Sequence, residues 1–127
     1  MKSNPLFSVI INSHNGAKYL KHALNSVIKQ SYKKWEIIFW DNHSTDNTFK
    51  IIAGYKNKKI KYFKSNKLLN LYEARNLALK KAKGEYVCFL DSDDIWLKDK
   101  LENHVDFFRK NNKYLIQFSN FYIKDEI

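Results

Sequence analysis

Three carboxylates fall within four residues at Asp91-Ser92-Asp93-Asp94, directly after an apolar run at residues 86–90. Carboxylates this close repel one another, and the repulsion is costly beside a buried strand end. A divalent cation would relieve it, and carboxylate oxygens suit Mg²⁺ or Mn²⁺, with a diphosphate completing the coordination shell. The alternative is that the carboxylates cap the following helix, which accounts for Asp94 alone. The spacing therefore predicts a metal site at Asp91 and Asp93.

A second polar cluster follows the run WEIIFW at residues 35–40. Asp41 and Asn42 lie where that run ends, although a polar strand end is also a common turn. Carboxylate and amide groups offer the acceptors and donors that a base or a ribose needs. We therefore interpret Asp41 and Asn42 as candidate nucleotide contacts.

Arg75 is a third candidate, and it lies near the start of a predicted helix in the sequence Glu73-Ala74-Arg75-Asn76. The planar guanidinium of arginine suits a phosphate or a carboxylate partner. The alternative is a solvated helix charge, which is our interpretation of Arg109, the other arginine of the chain. We expect Arg75 to serve the same site as the aspartates.

Short apolar runs alternate along the chain with segments whose apolar residues recur at helical spacing. Strands separated by helices of this length run parallel, so the sequence predicts an α/β fold with an open, mostly parallel sheet and helices on both faces. Ligands on such sheets lie beyond the carboxyl ends of the strands. The predicted strands are 6–12, 35–40, 60–63, 86–90 and 115–123, and the predicted helices are 17–30, a helix to residue 53 with Ser44 as N-cap, 71–82 with Gly84 as C-cap, and 97–111.

Composition limits the remaining possibilities. The 127 residues fit one domain, and 44% of them are hydrophobic, enough for a core. The one cysteine, Cys88, excludes an internal disulfide, and no apolar run suggests a secretory leader or a membrane helix, so we expect a cytoplasmic chain. The net charge of +10 comes from scattered lysines, which disfavours nucleic acid as a partner and leaves a membrane surface possible.

In combination, these segments resemble the family 2 glycosyltransferases, which have the GT-A fold. The segment FSVIINSHNGAKYLKHALNSVIKQSYKKWEIIFWDNHSTDNT is similar to the first strand, first helix, second strand and ribose-uracil loop of that family. The segment LYEARNLALKKAKGEYVCFLDSDDIWLKDKLENHV is similar to its arginine helix and to its D-x-D segment with the helix that follows. The resemblance covers residues 6–123.

The resemblance implies four nucleotide contacts in the first segment. Asn12 and His14 match positions that contact the nucleotide, usually as Thr and Tyr. Asp41 and Asn42 match the Asp-Asp pair that reads uracil and ribose. The departures at His14 and Asn42 leave the identity of the sugar nucleotide open.

The second segment matches the family at three further site residues. The resemblance places Arg75 near the base and the phosphates, Asp91 near the ribose and Asp93 at the metal, which would be Mn²⁺ or Mg²⁺. Asn70 stands where the family often has glycine. Because asparagine tolerates a positive φ best after glycine, we expect the turn to be kept there.

The activity implied is transfer of a sugar, with inversion, from a nucleotide-diphosphate donor, most simply a UDP-sugar, to a glycan or lipid-linked acceptor in surface polysaccharide or lipopolysaccharide synthesis. No carboxylate here matches the family's general base, so we expect residues 1–127 to be one nucleotide-sugar-binding domain that stops before the acceptor-binding region. Two alternatives stay open. One is a catalytically incomplete nucleotide-sugar-binding fragment, and the other is a basic domain that binds nucleic acid or a membrane surface, such as the inner membrane face.

Overall fold

The computed structural model describes residues 4–123, which form four strands and four helices in strict alternation. The strands are β1 Phe7–Ser13, β2 Trp35–Asp41, β3 Ile60–Lys64 and β4 Tyr86–Phe89, and the helices are α1 Ala17–Ile28, α2 Thr48–Gly54, α3 Leu71–Leu79 and α4 Lys100–Lys110. All four strands are parallel, and their order across the sheet is β3-β2-β1-β4. The predicted open, parallel α/β sheet is confirmed.

The register of the sheet brings the strand ends to one edge. Along β1 and β2 the pairing continues to Ser13 and Asp41, the last residue of each strand. On the other side of β1, Ile10 pairs with Phe89, the last residue of β4. The loops after β1, β2 and β4 therefore leave the sheet on the same side.

The two faces of the sheet bury different helices because side chains alternate along each strand. Val9 and Ile11 of β1 belong to the larger core, which includes residues of α1, α2 and α4. Ile10 of β1 points to the opposite face, where Ala74 and Ala78 of α3 pack against it. Burial of one such isoleucine contributes about 1.5–3 kcal/mol, so the central strand anchors both layers.

The predicted fifth strand at residues 115–123 is wrong, since no strand forms there in the part of the chain described. Apolar residues are frequent in this segment, but Leu115, Phe118 and Tyr122 are each at least 88% exposed. An apolar run becomes a strand only where a neighbouring strand accepts its hydrogen bonds, and within residues 4–123 the sheet ends at β4.

The prediction that Ser44 is the N-cap of α2 is wrong. The helix begins at Thr48, and the Ser44 hydroxyl instead accepts a hydrogen bond from the Asn15 backbone N–H at 2.9 Å. The Asp46 carboxylate accepts from the Thr48 N–H at 3.0 Å. A serine before a helical run can thus serve a neighbouring loop when a nearer carboxylate takes the helix terminus.

At the start of α3, Asn70 occupies the turn without a positive φ, since it has φ −70° as the N-cap and forms a capping box with Glu73. The prediction for the other end of α3 is wrong. The helix ends at Leu79 rather than near Gly84. Gly84 instead packs against β1, where an added Cβ would lie 2.5 Å from the Ser8 backbone nitrogen.

Candidate functional site

The carboxyl ends of β1, β2 and β4 are joined by backbone hydrogen bonds beyond the regular ladder. The Asn42 N–H donates to the Ser13 carbonyl at 2.7 Å, and the Leu90 N–H donates to the Ile10 carbonyl at 3.0 Å. The polar residues that follow these three strands therefore share one edge of the sheet, which is where open α/β sheets bind their ligands.

Asn12 has a buried amide at this edge with no internal partner. Its Nδ2 and Oδ1 atoms make no hydrogen bond to any of the residues described. An unpaired buried polar group costs about 1–3 kcal/mol, so such a group usually serves a ligand or a water. Asn12 is thus available to donate to, and accept from, a polar ligand.

Asp41 is fully buried, and both of its carboxylate oxygens are engaged within the protein. The Ser44 N–H donates to Oδ1 at 2.7 Å, and the Tyr62 hydroxyl donates to Oδ2 at 2.6 Å. The Lys64 ammonium lies 4.0 Å from Oδ2. Burial, followed by the Asp41 carboxylate, raises the pKa of the Tyr62 phenol, which stays a donor. The sequence missed Tyr62 and Lys64, because both lie on β3 and are distant from Asp41 in the chain.

Asn42 and His14 hold the neighbouring loops in place. The Asn42 amide donates to the Leu69 carbonyl at 2.8 Å and accepts from the Leu69 N–H at 2.9 Å. The His14 ring bonds the Asn42 carbonyl through Nδ1 at 2.9 Å, which assigns the hydrogen to Nδ1. His14 is exposed, and its Nε2 faces the Asn15 side chain at 3.3 Å.

Asn15 and Asp46 join the β1 and β2 loops, and the sequence did not single them out. The Asn15 side chain accepts from the Thr45 N–H at 2.8 Å, while Asp46 accepts from the Ala17 N–H at 3.0 Å. Desolvation favours the neutral form of Asp46, but hydrogen bonds led by the Thr48 hydroxyl outweigh it and lower the pKa of this carboxyl. Asn15, with φ 52°, occupies the left-handed region that asparagine tolerates.

Arg75 and Asp91 form an ion pair at the end of β4. The guanidinium Nη2 lies 2.8 Å from Asp91 Oδ1, and the guanidinium carbon lies 5.5 Å from the centre of the Phe89 ring. The Arg75 side chain is 35% exposed and that of Asp91 is 60% exposed, so the pair faces solvent. The structure thus brings together two residues that the sequence assigned to one site.

Asp93 has no such partner. It is exposed and makes no hydrogen bond or ion pair with the residues described. The pKa of the adjacent Asp94 carboxyl is raised, first by desolvation and then by the negative charges of Asp91 and Asp93. Nothing within residues 4–123 offers three grouped His, Cys, Asp or Glu side chains as a complete metal site. The metal site at Asp91 and Asp93 therefore stays a prediction from the sequence.

Gly16 lets the loop of Asp91, Ser92 and Asp93, called the D-x-D loop, lie against the loop that follows β1. A Cβ at this position would be 2.0 Å from Ser13 Oγ and 2.9 Å from Ser92 Oγ, so any other residue would require these serine side chains to move. Ser92 lies between the two aspartates of the D-x-D motif. The contact at Gly16 thus places this motif next to the loop that follows β1.

Gln30 fixes the segment that follows the D-x-D motif. Its buried amide donates to the Leu97 carbonyl at 2.7 Å and accepts from the Leu101 N–H at 3.0 Å. The predicted helix start at Leu97 is consequently three residues early, since α4 begins at Lys100. A glutamine just after α1 thus orients the loop between Asp93 and α4.

The family follows from comparison of the whole chain with known proteins. The family model described as Glycosyl transferase family 2 matches residues 8–127. The chain belongs to glycosyltransferase family 2. A relative in Escherichia coli, the UDP-Glc:alpha-D-GlcNAc-diphosphoundecaprenol beta-1,3-glucosyltransferase WfaP, is 40% identical over 121 residues, which are 95% of this chain and 48% of WfaP. The chain thus spans about half the length of this family 2 relative.

Solved structures of glycosyltransferases match the fold. Residues 1–349 of S. aureus TarS, in complex with UDP, match with a TM-score of 0.80 and 37% identity over 84% of this chain and 33% of that one. The mannosyltransferase PcManGT of Pyrobaculum calidifontis, in complex with GDP-Man and Mn²⁺, matches with a TM-score of 0.77 and 27% identity over 83% of this chain and 32% of that one. The GT-A fold expected from the resemblance is confirmed.

Within the described part of this family 2 chain, every helix is too short or too polar to cross a bilayer.

Proposed function

We propose that this chain binds the nucleotide-diphosphate sugar donor of a glycosyltransferase reaction, with a UDP-sugar as the donor. The observation that carries the proposal is the arrangement of Asp93, which has no partner among residues 4–123, beside the Arg75–Asp91 ion pair at the carboxyl edge of the sheet. Support comes from TarS, a family 2 neighbour that was solved with UDP.

In this proposal the β1 and β2 loops hold the nucleoside. The Asn12 amide, which has no hydrogen-bond partner among residues 4–123, contacts the nucleotide. His14 contacts the nucleotide from the exposed side of the loop that follows β1. Asp41 and Asn42 form the wall beside uracil and ribose, since their side chains already fix the loop at Ser44 and the backbone at Leu69. Internal hydrogen bonds of this kind preorganise a site before the ligand arrives.

The D-x-D loop is proposed to hold the diphosphate end. Asp93, with Asp91 beside the ribose, would hold Mn²⁺ or Mg²⁺, and PcManGT was solved with Mn²⁺. The cation would supply charge neutralisation for the departing diphosphate. Arg75 balances Asp91 and offers its remaining N–H donors to a phosphate oxygen.

The rest of the reaction is proposed from the family. An inverting displacement requires a general base within hydrogen-bond reach of the acceptor hydroxyl, and we assign that base to a segment other than residues 1–127. WfaP, whose name gives a diphosphoundecaprenol-linked acceptor, supports a glycan or lipid-linked acceptor in surface polysaccharide or lipopolysaccharide synthesis. A chain that uses such an acceptor would work in the cytoplasm, peripheral to the inner membrane face.

A second function, a catalytically incomplete module that binds a nucleotide sugar, shares the same donor site. It is favoured for this polypeptide by the lack of any residue that we can assign as the general base. Donor binding is therefore the property to test first.

The test is calorimetric titration of UDP into the chain, with Mn²⁺ and with a chelator. We expect removal of Mn²⁺ to weaken UDP binding by at least roughly tenfold, because the D-x-D carboxylates would then repel the diphosphate. Asp93→Asn should abolish the Mn²⁺ dependence. The matched control is Asp106→Asn on α4, where the aspartate side chain is 52% exposed. Equal UDP affinity with and without Mn²⁺ in the unaltered chain would remove the metal from the proposal.

A further inference from the structure

A cleft beside α1 combines lysines with exposed apolar residues. Its lining includes Lys29, Lys33, Lys98, Ile95 and Trp96, and no aspartate or glutamate contributes to it. Ile95 is 60% exposed, and the neighbouring Leu97 is 65% exposed. We call the surface formed by Ile95, Trp96, Leu97 and these three lysines the 95–98 face.

The apolar residues of this face are held outward by hydrogen bonds. The Leu97 carbonyl accepts from the Gln30 amide at 2.7 Å, and the Lys98 carbonyl accepts from the Ser31 N–H at 2.8 Å. Lys100 lies over the Trp96 ring, 5.3 Å from its centre. Because these backbone carbonyls are already satisfied, the apolar tips can enter a hydrocarbon region without carrying unpaired acceptors into it.

The chemistry of the 95–98 face matches one occupant. Exposed Ile and Leu side chains can bury themselves at the boundary between headgroups and acyl chains, where tryptophan is also enriched. Lysines beside them attract the negative surface of an anionic bilayer. Asp94 and Asp99 flank the segment in sequence but do not line the cleft.

We propose that the 95–98 face attaches the chain to an anionic lipid bilayer. Leu97 follows Asp93 by four residues, a span of at most about 14 Å, so attachment here would bring the donor site close to the lipid surface. This geometry suits a lipid-linked acceptor, and to that extent the inference rests on the proposed function and deepens it.

Sedimentation with vesicles tests the attachment. The full chain is mixed with vesicles of phosphatidylcholine alone or of phosphatidylcholine with phosphatidylglycerol. We expect binding only to the anionic vesicles. Replacing Lys29, Lys33 and Lys98 together by Gln should lower the partition coefficient on the order of 100-fold, because each lysine near the surface contributes about fivefold. Ile95→Ser with Leu97→Ser should lower it at least roughly tenfold.

The matched control replaces Lys58, Lys67 and Lys80, three exposed lysines elsewhere on the chain, by Gln. It changes the net charge equally and should keep most of the binding. An equal loss in both lysine sets, or equal binding to neutral vesicles, would overturn the proposal, as would no binding to either vesicle. Urea unfolding checks that every variant folds, and UDP titration of the same proteins separates the two proposals. A chain that binds anionic vesicles but not UDP would contradict the proposed function alone.

Discussion

At the scale of single residues, the site contains one amide that stability alone does not explain. Asn12 lies in the central strand, with both polar side-chain atoms buried and unpaired among the residues described. The strand neighbours Ile10 and Trp40 on the same face are apolar and buried, so an apolar residue would suit position 12 better in the free protein. Proteins keep such locally unfavourable groups mainly where function requires them.

Asn12→Leu should therefore separate stability from binding. Leucine has a similar shape and no polar atoms, so the free energy of unfolding should stay equal or rise by roughly 1 kcal/mol. UDP affinity should fall roughly tenfold, since the nucleotide loses an amide partner. Urea unfolding and UDP titration measure the two effects. A destabilised variant with unchanged UDP affinity would show that Asn12 is structural.

At the scale of elements, a buried carboxylate ties the sheet together at the edge opposite the site. Glu36 of β2 accepts from the Ser8 hydroxyl at 2.7 Å, the Lys83 N–H at 2.8 Å and the Lys61 ammonium at 2.6 Å. These partners come from β1, from β3 and from the loop before β4. Desolvation favours the neutral acid, but the bonds from Lys61 and its other partners prevail and lower the pKa of Glu36.

This lowered pKa predicts a pH-dependent contribution to stability. The contribution is fully present above the unfolded pKa near 4.5 and is lost as the pH falls through the lower pKa of the folded state. Glu36→Gln should reduce the free energy of unfolding by about 2 kcal/mol at neutral pH, and the difference from the unaltered chain should shrink below pH 4.5. Urea titrations across this range measure it, with Asp106→Asn at an exposed position on α4 as the control. A difference independent of pH would argue against a charged Glu36.

The elements also show what the sequence could predict. Helical spacing and short apolar runs located all four helices and four strands, because periodicity reflects which face is buried. The predicted helix ends at Ser44 and Gly84 were less accurate. The Ser44 hydroxyl accepts a hydrogen bond from the Asn15 N–H, and the Gly84 N–H donates to the Ser8 hydroxyl, so neither residue caps a helix. The strand predicted at 115–123 failed, because a strand depends on a partner that local sequence cannot specify.

At the scale of the whole molecule, the sequence predicted candidate site residues but not the hydrogen bonds that hold them in place. The residue types and their order pointed to Arg75, Asp91 and Asp93. An ion pair between Arg75 and Asp91 could be predicted from the same residue types, since arginine suits a carboxylate partner. The links from Asp41 to Tyr62 and from Gln30 to Leu97 join residues distant in sequence, so only the fold could reveal them.

A chain with the proposed donor site and no assigned base should bind a donor without transferring its sugar. Loss of a general base costs on the order of 10²–10⁴ in rate, and lost acceptor positioning can cost roughly 7–11 kcal/mol more. A donor-consumption assay with glycan and lipid-linked acceptors, run beside Asp93→Asn, measures transfer. Metal-dependent glycoside formation by the unaltered chain would place a base among residues 1–127.

The most direct test of the donor site is paramagnetic broadening by Mn²⁺ in the NMR spectrum of the UDP-bound, isotope-labelled chain. Mn²⁺ held by Asp91 and Asp93 should broaden the amide signals of the D-x-D loop most strongly, followed by those near Gly16 and Arg75, and Asp93→Asn should remove the effect. Broadening centred on Glu36, or the same pattern in Asp93→Asn, would contradict the account.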